Sequence, residues 1–156
     1  MGISPTFGKG YVANQVQVFQ QRLETATIFL LKYLGESLAK YAKEMHSYTD
    51  RTGNLTNSIG YAVVKKSDIV FFAGPEGSGE SEKAAMQAAM KMAQSLQHDY
   101  SLLIVAGMNY AAYVEAKGYS VILPAELKCM TEFPKAMKKL SDMAKAKANE
   151  MFGNVL

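Results

Sequence analysis

The residues of this chain that could do chemistry are few, and most fail on type or spacing. Gly74-Pro75-Glu76-Gly77-Ser78-Gly79-Glu80-Ser81 lies between a strand-like run and a helix-forming stretch, where a phosphate-binding loop belongs. That loop needs Gly, four residues, then Gly-Lys-Ser/Thr, with the lysine supplying positive charge to the phosphates. Here Glu80 stands in the lysine position, and Glu76 and Glu82 add to the repulsion. The amides of a helix N-terminus do not offset three carboxylates. The segment reads instead as a link into a helix with an acidic first turn. His46 and His98 are the only histidines, and neither has metal-ligand spacing. Cys129 is the single cysteine, so no internal disulfide exists, which fits a reducing compartment or indifference to redox state. It reads as a small helix residue rather than a nucleophile. No Gly-x-Ser-x-Gly elbow occurs, and nothing selects a pair of carboxylates. The expectation is a protein that is not an enzyme, with no catalytic residue, metal or cofactor.

The chain has 156 residues, 49% of them hydrophobic and 20% charged, enough for one ordinary core and too apolar for general disorder. The net charge is +3 and comes from lysine, Arg22 and Arg51 being the only arginines. Nucleic-acid readers usually cluster more charge and use arginine for bidentate contacts. Lys128, Lys135, Lys138, Lys139, Lys145 and Lys147 are nearly balanced by Glu126, Glu132, Asp142 and Glu150, as on a solvated helix face. A small nucleic-acid-binding accessory protein using this lysine-rich helix is the alternative reading. No apolar run reaches the ~18 residues of a membrane span.

Around these residues the pattern predicts an α+β fold. Residues 1–14 read as a flexible arm and 15–156 as one domain. Asn14 would cap a helix running from Gln15 to about His46, with Phe19, Leu23, Ala26, Leu30, Tyr33, Leu34, Leu38, Tyr41 and Met45 at three- and four-residue steps. At the α-helical rise it would span roughly 45–50 Å, more than a compact domain of this size needs. Ile59 to Lys65 and Ile69 to Ala73 read as a hairpin, Tyr100 to Ala106 as a third strand and Tyr119 to Leu123 as a fourth. A helical insertion, rich in Ala and Met, occupies 75–98. A last helix runs from about Ala125 to Met151, with Pro134 as a kink or restart. The expected architecture packs the two long helices on a small, mostly antiparallel four-stranded sheet.

Two stretches carry more than periodicity. In Arg51-Thr52-Gly53-Asn54-Leu55-Thr56-Asn57-Ser58-Ile59, Gly53 or Asn54 can supply a positive φ, Thr52 or Asn54 can cap a short helical turn, and Leu55 and Ile59 can pin that turn to the core. In Tyr110-Ala111-Ala112-Tyr113-Val114-Glu115, helical spacing puts Tyr110, Tyr113 and Val114 on one side and turns Glu115 away. Gly118 suits the end of that short helix.

Taken in this order, the chain resembles the head–tail joining (neck, or tail-completion) proteins of tailed bacteriophages, of the HK97-like minor tail-component type. Those proteins show a long N-terminal helix, a Thr-Gly-x-Leu-x-x-Ser-Ile element, strands, then Tyr-Ala-x-Tyr-Val-Glu and usually a Gly. Thr52, Gly53, Leu55, Ser58 and Ile59 match the first element, and Tyr110, Ala111, Tyr113, Val114 and Glu115 the second. Two departures are the 75–98 insertion and Ala116-Lys117-Gly118 in place of a Phe-Gly-Thr-like continuation. The resemblance implies a structural virion or prophage-encoded protein, ring-forming at the head–tail junction. Its partners would be itself and neighbouring neck or tail proteins, and it would be found in the virion and, during assembly, in the host cytoplasm. It implies no membrane, no small-molecule substrate and no nucleic acid beyond DNA passing through the ring.

Overall fold

The computed structural model describes residues 8–75, 79–108 and 111–153, with Lys9, Ala112 and Tyr113 described in their backbone alone. The elements are α1 (Lys9–Glu44), α2 (Asn54–Asn57), β1 (Ile59–Lys65), β2 (Asp68–Ala73), α3 (Gly79–Ala93), β3 (Tyr100–Ala106), α4 (Ala111–Ala116) and α5 (Leu123–Phe152). The fold is α+β. Two compact units are distinguished: Leu31–Pro134, and Met1–Leu30 with Lys135–Leu156.

In the Leu31–Pro134 unit, three antiparallel strands stand in the order β2-β1-β3. The central strand reads Ile-Gly-Tyr-Ala-Val-Val-Lys and is buried from Ile59 to Val64. A continuous apolar run is what a strand covered on both faces requires. Ala62, Val64, Leu103 and Val105 project to one face, where Ala85, Ala89 and Ala93 of α3 meet them. These alanines recur every four residues, so one small-residue stripe lets α3 lie close to the sheet. Met90 and Met92 face solvent instead, so alanine and not methionine fills this layer. The stretch expected as an insertion is therefore one of the layers around the sheet. On the sheet's other face, α1 contributes Leu31, Leu34 and Leu38, all buried. Gly35 packs against the Tyr61 ring, and a Cβ there would overlap it. Lys32 sits over the Phe71 ring at 4.0 Å. Burial first, and then the neighbouring Glu36 carboxylate that accepts the phenol's hydrogen bond, push Tyr61 above its ordinary value.

The second unit is helical over residues 9–30 and 135–152. Phe19 and Phe152 meet edge to face at 6.0 Å. Phe19, Leu23 and Ala26 of α1 and Leu140, Met143 and Ala144 of α5 line a groove of about 440 Å³.

Three expectations are corrected. The first helix begins at Lys9, not Gln15, and Asn14 lies inside it. Tyr11, Val12 and Ala13 carry no breaker, so the helix continues past the capping residue, and residues 1–7 of the expected arm lie outside the described residues. Pro134 lies inside α5, which does not restart there. Residues 119–123 form no strand, and the sheet of the described residues has three strands rather than four. The amides of residues 121–123 that a fourth strand needed are taken locally by the Glu115 carboxylate.

Candidate functional site

The first joint runs from the end of α1 to the start of β1. His46 stacks on Tyr48 at 4.4 Å, and its Nδ1–H donates to the Tyr48 carbonyl at 3.0 Å. Tyr48 is buried, and its hydroxyl lies 3.0 Å from that of Thr56. Gly53 adopts φ +73°, the left-handed conformation that glycine takes without a Cβ penalty, and α2 starts directly after it. The side chain that satisfies α2 is Asp50, whose Oδ2 accepts the Thr56 N–H at 2.7 Å. Thr52 contributes only a long contact, its Oγ1 lying 3.4 Å from the Asn54 N–H, and Asn54 makes no cap. Leu55, Ser58 and Ile59 face the core, while Arg51, Thr52 and Asn54 face solvent. Ser58 ends the turn by donating its hydroxyl to the Leu55 carbonyl at 2.6 Å, and its own carbonyl accepts the Gly107 N–H at 2.9 Å.

The second joint links α4 to α5. Gly118 has φ +86°, its N–H donates to the Glu115 carbonyl at 3.0 Å, and the Tyr119 N–H reaches the Val114 carbonyl at 3.3 Å. That pair of bonds is the Schellman ending of a helix. Glu115 is half-buried and is not turned away, as helical spacing implied. Its Oε1 accepts the N–H groups of Val121, Ile122 and Leu123 at 3.4, 3.3 and 2.9 Å. The first amides of a helix have no intrahelical acceptor, so one carboxylate stabilises the start of α5 through several of them. These are the donors that the expected fourth strand would have given to a ladder. Tyr110 lies outside the described residues.

The two joints meet: the Ser120 N–H donates to Ser47 Oγ at 2.8 Å, and Gly107, just before the second joint, bonds Ser58 in the first. Both motifs thus belong to one bonded system of connecting loops. Asp50, Ser47, Tyr48 and Ser120 are the members that the matched motif positions omit. Asp50 had a signal, being an acceptor-type residue shortly before a helical turn. Ser47 and Ser120 had none, since their pairing crosses 73 residues.

The electrostatics are those of connection. Burial alone would raise the Asp50 carboxyl. The Thr56 N–H and hydroxyl, the Gly53 N–H and the nearby His46 outweigh it and hold Asp50 below its ordinary value of 3.8. Burial pushes the Cys129 thiol up, away from the reactive thiolate. Among the described residues no group of three or more His, Cys, Asp or Glu could hold a metal ion. In the stretch that resembled a phosphate loop, α3 begins at Gly79 with Glu80 and Glu82 in its first turn, while residues 76–78 lie outside the described residues. Of the α5 lysines, Lys138 pairs with Asp142 at 3.1 Å and Lys147 with Glu150 at 3.0 Å. The arrangement can join helices to a sheet and hold a loop surface in place. No protein-family model, no curated protein and no solved structure matches this chain.

Proposed function

We propose that this chain is a structural subunit of a tailed phage or prophage that oligomerises, as a ring, at the head–tail junction during tail attachment or completion. The observation that carries the reading is the ordered pair of motifs, Thr52 to Ile59 and then Tyr110 to Glu115, behind a long N-terminal helix. Their described members act as joints, with Gly53, Leu55, Ser58 and Glu115 each spent on backbone geometry, packing or capping. A subunit whose work is assembly needs such rigid connections and no reacting group. A second support is the helical unit, in which no hydrophobic side chain of the described residues is fully buried. Amphipathic helices normally cover their apolar stripe, and subunit packing is one way of doing so.

Sedimentation and negative-stain microscopy of the protein, alone and mixed with neighbouring neck and tail proteins, test the reading. The expected result is ring-shaped particles that form or stabilise when those partners are present. Persistent monomers that bind no neck or tail protein would overturn it.

A further inference from the structure

The sheet has two edges, and among the described residues only that of β2 carries the usual defences. At opposite ends of the β1–β3 pairing, the Gly107 N–H bonds the Ser58 carbonyl at 2.9 Å and the Lys66 N–H bonds the Asp99 carbonyl at 2.8 Å. In an antiparallel ladder, hydrogen-bonded and non-bonded pairs alternate. With the register Ile59↔Ala106 to Lys65↔Tyr100, the bonded pairs between those ends are Gly60/Val105, Ala62/Leu103 and Val64/Ser101. Tyr100, Leu102, Ile104 and Ala106 therefore turn both N–H and C=O away from β1, toward the outer edge. No described residue bonds these groups there.

Edge strands are normally blunted by charge, proline or a bulge. The β2 edge has these defences: it opens with Asp68, and the register shifts where Val63 pairs Phe71 but Val64 pairs Ile69, leaving Val70 as the extra residue. In β3, Tyr-Ser-Leu-Leu-Ile-Val-Ala contains no charge and no proline, and its register is unbroken. Beside the β3 edge lies a groove of about 450 Å³, with Met92 of α3 on one side and Ile122, Met130 and Phe133 on the other. Leu102 and Ile104 contribute to its wall.

We propose that this edge is a strand acceptor: an extended segment of a partner assembly protein adds to β3 as the fourth strand of the sheet. Its alternate apolar side chains enter the groove. The backbone chemistry selects this occupant. Outward amides and carbonyls repeating every second residue are matched by another extended backbone, whereas a helix bonds its own. Edge-to-edge pairing with a second copy would close a two-fold dimer and use up both edges, which does not build the ring proposed above. The inference rests on the assembly reading in that choice of partner, though not in the capacity of the edge itself.

The probe is a capped nine-residue peptide alternating valine and threonine with a lysine at each end. Its control is the same peptide N-methylated on the amides that would face β3. Hydrogen exchange of the full-length protein, followed residue by residue, is expected to slow by roughly tenfold or more at Leu102 and Ile104 with the first peptide. No slowing is expected with the second. Ile104→Pro removes an outward donor while leaving every β1–β3 bond, the position in a sheet where proline is tolerated. It is expected to keep the wild-type circular dichroism spectrum and to weaken peptide binding by more than about tenfold. The exchange measurement on wild-type protein stands even if that variant fails to fold. Unchanged exchange at these amides, equal binding of the methylated peptide, or a wild-type dimer that Ile104→Pro dissolves would each overturn the proposal. Peptide binding without any ring formation would instead count against the assembly reading and leave the acceptor edge standing.

Discussion

The sheet-containing unit of residues 31–134 and the helices of residues 9–30 and 135–152 both carry apolar faces and reach different outcomes. In the first, Leu31, Leu38, Ile59, Val63, Val64 and Val121 are almost wholly buried. In the second, Thr27 is the one buried residue among those described, its hydroxyl donating to the Leu23 carbonyl. Phe19, Leu23 and Leu140 are half-buried, and Phe29 is 71% exposed. Periodicity tells which face of a helix would gain from burial. Whether that face is covered depends on what the chain brings to it, and here only the sheet-containing unit brings enough.

The sharpest way to break this contrast is to delete matched side chains. Leu38→Ala removes a fully enclosed side chain, and the expected loss is about 2–5 kcal/mol in urea denaturation. Leu23→Ala in the helical unit is expected to cost about 1 kcal/mol or less, because its site is already open to water. Equal losses at the two positions would end the distinction. Gly35→Ala comes next, at about 1–3 kcal/mol, since the new methyl must displace the Tyr61 ring.

Glu115→Ala is expected to cost about 1–2 kcal/mol, near the upper range for a cap, because one oxygen serves several amides. Glu115→Gln keeps an acceptor without the charge and should recover part of the loss. Asp50→Ala should cost about 1 kcal/mol, and its pH dependence separates a cap from a packing effect. The folded Asp50 carboxyl is held below its unfolded value. Its contribution is therefore full above that value and is lost as pH falls through the folded one. Thermal melts of wild type and variant should differ at neutral pH and converge in the acid range below about pH 4. A difference that persists there would mean Asp50 works by packing.

Much of the fold was legible because the signals were local. The run Ile59 to Val64, the Lys66-Ser67 turn and Gly118 each state their conformation in a few residues. The element from Tyr119 to Leu123 misleads for the same reason: Tyr, Val, Ile and Leu resemble a strand by composition. The deciding group is Glu115, several residues upstream, which takes the amides of residues 121–123. In α3 the close approach to the sheet selects Ala85, Ala89 and Ala93, while Met90 and Met92 stay exposed, a choice that composition alone does not state. In the candidate site, a positive φ at Gly53 or Asn54 and the anchors Leu55 and Ile59 were legible, and the structure assigns the φ to Gly53. The bond between Ser47 and Ser120 was not, because it exists only once two distant loops meet.

The smallest expected effect separates architecture from assembly within the first motif. Arg51 and Asn54 face solvent, and neither side chain caps α2. Arg51→Ala and Asn54→Ala should therefore change stability by no more than about 0.5 kcal/mol. Leu55→Ala, on the buried side of the same turn, should cost several times more. If the motif only joins α1 to β1, the two exposed variants are silent in every measurement. If its outer surface meets a neighbouring subunit, they melt like wild type and yet sediment as smaller species when neck and tail partners are added. A loss of stability comparable to that of Leu55→Ala would place Arg51 and Asn54 in the folding of the turn, and the division between its buried and exposed sides would fail.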